Sequence, residues 1–423
     1  MVEEKIIGMF IVLNKVTNQF VFRYFDTHQL SKMKYLFILS AFIVFTHQAL
    51  LGQFEAGFDK KEAIDMIRIC NSHTFLELYN SDAPIIPNGY KRTYSSQPNV
   101  LDNMFQVYEK GDFAVIHFRG STVHPNSWIE NLYSAMIPAS GSITVYNERR
   151  DYSFAKYPDA AVHSGYALAI TLLSEDIIAQ INRLNAKGIF QIYLTGHSQG
   201  GALATMSRAY IENLPKGIVS DKNAFKTYAF ANPMSGNAYF ALEYNKRFTQ
   251  QGTSFRIINP SDIVPSLPLS PKQKELFSAD NLLALLTGED TYDLKKLGIE
   301  LLIKQFGDGF TSYVNKSNQM IHKMITMQAG EVILPEYVED ITYSEVGEVY
   351  KLKTFVYPTI IKDSLEINPS DFSKYTRLPD GKYQRKEPKF YQHKPYNYYV
   401  EMLRIFDENE YKRLKIKFLP ENL

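Results

Sequence analysis

The chain has 423 residues, 45% of them hydrophobic and 22% charged, a globular composition and not a disordered one. Its 46 Lys and Arg nearly cancel 45 Asp and Glu, and a net charge of +1 argues against a polyanion-binding protein. A single cysteine excludes a disulfide framework within the chain and any multi-cysteine metal site.

Near the N-terminus, Lys32, Met33 and Lys34 precede an apolar run from Tyr35 to Phe45 that Thr46, His47 and Gln48 interrupt. The run is too short to span a bilayer and fits the apolar stretch of a signal peptide. Small residues from Ala49 to Gly52 then suit cleavage near Gln53. This reading divides the chain into an upstream segment 1–32, a signal peptide 33–52 and one folded domain 53–423. Export is the expected destination, secreted, periplasmic or at the cell surface, with membrane anchoring by 35–51 as the alternative.

Beyond Gln53, apolar residues between Lys60 and Tyr79 recur with helical spacing. Met104–Tyr108 and Phe113–Phe118 read as strands joined by the turn Glu109-Lys110-Gly111-Asp112. Helices are expected at Ser164–Asn185 and Ala202–Leu214. Between and after them, strands are expected at Phe190–Leu194, Lys226–Phe230 and Ser254–Asn259. Strands that alternate with helices imply an α/β fold with a mostly parallel sheet. After Pro271 a helix-rich stretch covers Asn281–Ile325, followed by a small hairpin at Val346-Gly347-Glu348-Val349 and a charged loop at Arg377–Lys389. Pro395–Phe406 closes the series as a helix with Pro in its first turn.

The chemistry lies in Gly196-His197-Ser198-Gln199-Gly200, a G-x-S-x-G sequence between an apolar strand and a helix start. A serine held on so sharp a turn needs very small neighbours two positions away on either side. The helix start supplies free N–H groups for developing negative charge. Ser198 is therefore the expected nucleophile. Serine needs a base to take its proton and an acid to orient the base, in the chain order Ser, acid, His. Asp262, just past a strand in Asn259-Pro260-Ser261-Asp262, is the expected acid, and Asp221, which precedes a strand, is the weaker candidate. Only His322 and His393 follow Asp262. His393, in a loop ahead of a helix, is favoured, and His322 is the alternative base. The backbone N–H of Gln199 and Ser121, in Phe118-Arg119-Gly120-Ser121, are the expected oxyanion donors. His197 is expected to pack and not to react.

Those stretches, with Val162-His163-Ser164-Gly165-Tyr166 and Phe230-Ala231-Asn232-Pro233, together resemble the fungal-type class 3 lipases in order and spacing from Phe118 to Pro265. The resemblance implies an α/β-hydrolase fold: a mostly parallel central sheet, flanking helices and a helix-rich insertion, about 271–384, between acid and histidine. It implies carboxylic-ester hydrolysis, commonly of triacylglycerols, with Ser198, Asp262 and His393 as triad and Ser121 at the oxyanion. The 131-residue interval between Asp262 and His393 is longer than the family norm. A lid is implied after Ser121, where Ser127–Tyr133 holds the lone tryptophan; simple core packing of that segment is an equal reading. The Asn281–Ile325 helices have the same two readings, cap or scaffold. No metal or organic cofactor is expected; the expected partner is a lipid or other ester substrate, with a lipid–water interface as a further expectation. A phospholipase A1, a short-chain esterase and a catalytically inactive lipid-binding protein are the alternatives.

Overall fold

The computed structural model describes residues 9–13, 20–24, 54–122, 133–268, 330–340, 342–388 and 390–419, with Ser127, Glu130, Asn131, His322, Lys323, Ile325, Thr326 and Met327. The segment 33–52 expected as a signal peptide, most of the expected helix-rich stretch 281–325, and Trp128, Ile129 and Leu132 lie outside the described residues. Contacts divide the chain into Met1–Gln53 and Phe54–Leu423. In the first unit, Met9–Leu13 and Phe20–Tyr24 pair as antiparallel strands, with Met9 opposite Tyr24.

In the second unit the expected Lys60–Tyr79 helix is two helices, α1 (Lys60–Cys70) and α2 (Ser72–Tyr79), parted at Asn71. Asp59 caps α1 by accepting from the N–H groups of Lys61 and Glu62, both at 2.8 Å. The Asn71 amide donates to Ile67 O and Pro395 O, and this tertiary tie breaks the continuous helix that the periodicity suggests. Three antiparallel strands follow: β1 (Lys91–Ser95), β2 (Phe105–Lys110) and β3 (Phe113–Phe118). The β2–β3 turn carries Gly111 at φ 57°.

Helix α3 (Ser164–Ala186), strand β4 (Gln191–His197), helix α4 (Gln199–Ile211) and strands β5 (Ala224–Phe230) and β6 (Ser254–Ile258) come next. The place of the expected hairpin at Val346–Val349 is taken by β7 (Glu348–Lys351), an edge strand parallel to β6. The sheet runs β7-β6-β5-β4-β3-β2-β1 and is parallel from β3 to β7. Periodicity over four residues cannot tell a hairpin from a lone edge strand, because the partner is about 90 residues away in sequence.

Alternation along the strands feeds two cores, one on each sheet face. Ile116, Phe118, Ile192 and Leu194 pack against α3 and α4. Val115, Tyr193, Tyr228 and Phe255 pack with α1 and with α5 (Pro395–Phe406), the expected C-terminal helix. A short helix, Glu408–Arg413, follows α5. The expected charged loop holds one short strand, Tyr383–Arg385, which pairs with Tyr375–Arg377 on one side and with Ile361–Lys362 on the other. No helix among the described residues is long and apolar enough to cross a membrane.

Candidate active site

Strand β4 ends at His197 and α4 begins at Gln199, so Ser198 alone makes the turn between them. It does so at φ 60° and ψ −131°, a conformation that costs a non-glycine residue about 1–3 kcal/mol. Packing enforces it. A Cβ on Gly196 would lie 2.2 Å from Gly200 backbone atoms, and one on Gly200 would lie 2.2 Å from Phe118 O. Only glycine fits at either position, and the strained turn lifts the Ser198 hydroxyl off the sheet end. Ser198 donates its backbone N–H to Phe230 O at 2.9 Å, which pins the elbow to β5.

The hydroxyl meets His393. Its Oγ is 2.8 Å from His393 Nε2, and His393 Nδ1 is 2.7 Å from Asp262 Oδ2. The Asp262 side chain is 1% exposed and that of His393 is 15% exposed, so the carboxylate is sealed while the imidazole is partly open. Asp262 also accepts from the Val264 N–H through Oδ1 and from the Tyr398 hydroxyl through Oδ2. Burial, then the Asp262 charge, raises the Tyr398 hydroxyl well above its ordinary pKa, so it remains a donor.

His322, the alternative base, lies elsewhere: its Nδ1 is 2.9 Å from the Tyr133 hydroxyl. Asp221 sits in an exposed turn before β5, at the opposite end of the parallel sheet from Ser198. His197 packs its ring 4.8 Å from that of His393 and 5.3 Å from that of Tyr398. Burial, reinforced by His393, holds the His197 pKa well below the usual range, so the ring is a neutral spacer.

Gln199 opens α4, so its N–H is among the donors a helix cannot satisfy internally. The Ser121 hydroxyl donates to Gln199 Oε1 at 3.1 Å and accepts from Asn131 Nδ2 at 2.9 Å. The two expected oxyanion residues are thus linked side chain to side chain. Of the expected lid segment, Ser127, Glu130 and Tyr133 are buried, so these three face the core. Among the described residues no cluster of three or more His, Cys, Asp and Glu is arranged to hold a metal ion.

Three contributors escaped the sequence reading. Asn259 and Gln392 tie the acid and histidine loops together, and Glu130 holds the Gln199 side chain. Tyr398 is one of three tyrosines, with Tyr396 and Tyr399, that follow His393 within α5, and sequence alone does not separate them. Its only signal was its place one turn into α5, facing the sheet.

Residues 115–272 match the model of the family described as lipase (class 3). The sequence is 30% identical over 139 residues to secreted mono- and diacylglycerol lipase 1 of Fusarium solani, across 31% of this chain and 39% of that protein. It is 28% identical over 210 residues to phospholipase A1-II 6 of Oryza sativa subsp. japonica, across 44% of this chain and 47% of that one. The chain thus spans less than half the length of these curated relatives. Among solved structures, Rhizomucor miehei triacylglyceride lipase aligns at 18% identity and a TM-score of 0.39, over 51% of this chain and 77% of that one.

Proposed function

We propose that the chain, whose residues 115–272 match the lipase (class 3) family model, is a member of that family and an exported serine carboxylic-ester hydrolase that cleaves acylglycerol esters. The observation that carries the reading is the chain of contacts from Ser198 Oγ through His393 to Asp262, at 2.8 and 2.7 Å. In this reading residues 1–52 precede a single hydrolase domain, 53–423, and the stretch of about 271–384 between Asp262 and His393 is an insertion into it.

Asp262 accepts the Nδ1–H of His393, which leaves Nε2 as a lone-pair acceptor for the Ser198 proton. As that proton moves, Oγ attacks the ester carbonyl carbon. The resulting oxyanion is met by the N–H of Gln199 and by Ser121. Nε2 then returns the proton to the departing alcohol, and the acyl group remains on Ser198. Water repeats the sequence: Nε2 takes its proton, its oxygen attacks the acyl carbon, and Ser198 leaves with the proton restored. Burial of Asp262 keeps the imidazolium partner close throughout, while Tyr398 and the Val264 N–H fix the carboxylate orientation. Each oxyanion donor contributes roughly 3–4 kcal/mol to transition-state stabilisation.

The overlap with a rice protein named as a phospholipase A1 supports a second reading, in which the ester sits on a glycerophospholipid. One assay separates the readings: turnover of p-nitrophenyl esters of increasing chain length, emulsified triglyceride, diglyceride, and phosphatidylcholine vesicles. The acylglycerol reading expects higher turnover on emulsified glycerides than on vesicles. Preference for vesicles favours the phospholipase, and activity limited to short soluble esters favours an esterase. No Ser198-dependent turnover on any of them leaves an inactive lipid-binding protein.

A further inference from the structure

Beside the oxyanion residues lies a carboxyl group that the mechanism does not use. Glu130 is completely buried, and its Oε2 accepts from Asn103 Nδ2 and, at 2.8 Å, from Gln199 Nε2. Its Oε1 has no hydrogen-bond partner among the described residues. A buried acid so placed is costly, and an apolar side chain would cost less. Burial pushes its carboxyl well above the usual range, against the Asn103 bond and with help from the Asp102 charge.

Gln199 has one accepting and one donating end, and its surroundings decide which way the carboxamide faces. Two acceptors converge on Nε2, Glu130 Oε2 at 2.8 Å and Ser127 O at 3.0 Å. The opposite end, Oε1, therefore faces the hydroxyls of Ser121 at 3.1 Å and Ser127 at 3.2 Å. Ser121 receives a second tie from Asn131 Nδ2, whose own Oδ1 accepts from the Tyr166 hydroxyl at 2.9 Å. Every hydrogen bond in the series has one direction only, and Glu130 supplies its accepting end.

We propose that Glu130 is a positioning residue for the oxyanion site: it orients the Gln199 carboxamide so that the amide oxygen fixes Ser121 against the elbow. The inference rests on the reading of Ser198 as nucleophile and of Ser121 and Gln199 as oxyanion donors. Glu130 touches neither substrate nor the reacting atoms and acts only through Gln199.

The test is a double-mutant cycle on p-nitrophenyl butyrate. Glu130→Met keeps the volume but removes the acceptor, so that the Gln199 amide is free to turn over. In the parent background it should lower kcat about tenfold, a fraction of a full donor loss, and leave KM within about twofold. In the Ser121→Ala background it should have no further effect, because the group it positions is gone. Gln199→Met removes the carboxamide at similar volume and should show the same non-additivity with Ser121→Ala. It decides the question alone if Glu130→Met fails to fold. Equal losses in both backgrounds mean general damage and overturn the inference, as does unchanged turnover of Glu130→Met in an active parent. A parent with no Ser198-dependent turnover overturns the functional reading itself, and this inference with it.

Discussion

Asn259, three residues before Asp262, donates through Nδ2 to Gln392 Oε1 at 2.6 Å and to Gln392 O at 3.2 Å, one residue before His393. Gln392 is held in turn by Phe355, whose N–H donates to Oε1 and whose carbonyl accepts from Nε2, both at 2.9 Å. The acid loop, the histidine loop and the chain leaving β7 are thus one hydrogen-bonded assembly. Asp262 and His393, 131 positions apart, keep register through these bonds.

Asn259→Ala should therefore misplace His393 without unfolding the protein. It leaves the buried Gln392 short of a donor, at about 1–3 kcal/mol of stability. A misplaced base should lower kcat by about 10- to 100-fold. Chemical denaturation and steady-state kinetics on a soluble ester check both; a stability loss with unchanged kcat would show that the Phe355 contacts alone hold the loop.

Tyr398 is the second point of control. Its hydroxyl accepts the Asn259 N–H at 2.9 Å and donates to Asp262 Oδ2 at 2.9 Å. Tyr398→Phe removes both at once inside a buried site and should cost about 1–3 kcal/mol of stability. Its kcat should fall by about tenfold, because the carboxylate that orients His393 loses one of its two fixing donors besides the histidine. A variant with parental kcat would leave Tyr398 a purely structural residue.

Acid should destabilise this fold through imidazoles buried in neutral form. Burial takes His117 and His163 from 6.5 down to about 3, and His197 falls well below 6.5 for the same reason. His163 also caps α3 by accepting the Tyr166 N–H through Nδ1, which protonation would forbid. Between pH 6.5 and 3 the unfolded chain binds protons that the folded chain refuses. Stability is therefore full above pH 6.5 and lost as pH falls, by about 1.4 kcal/mol per pH unit for each histidine. Urea midpoints from pH 7.5 to 4.5 check the slope, which should become shallower in His117→Gln. A flat profile would contradict neutral burial.

Much of this was legible from sequence, for physical reasons that differ by residue. The elbow was, because strand-to-helix geometry around Ser198 demands glycine at 196 and 200, and few sequences satisfy that by accident. Asp262 was, because it follows a strand end, where an open parallel sheet gathers its active site. His393 over His322 rested on loop position and on the family resemblance; Tyr133 contacts His322 in the fold, across 189 residues that no local pattern reports. The seventh strand was misread because Glu348–Lys351 is short and its partner β6 is distant. Glu130 was overlooked as one charge in an amphipathic segment, since complete burial of its carboxyl emerges only from the tertiary packing around Asn103 and Gln199.

The central claim is that Ser198 is the nucleophile and His393 its base. The direct measurement is stoichiometric labelling with a p-nitrophenyl alkylphosphonate, followed by mass spectrometry of the peptides. One adduct per chain is expected, on Ser198. Labelling should slow by at least about 10³-fold in His393→Ala and keep its rate in His322→Ala. An adduct on another residue, or a protein whose labelling stops in His322→Ala and persists in His393→Ala, would contradict it.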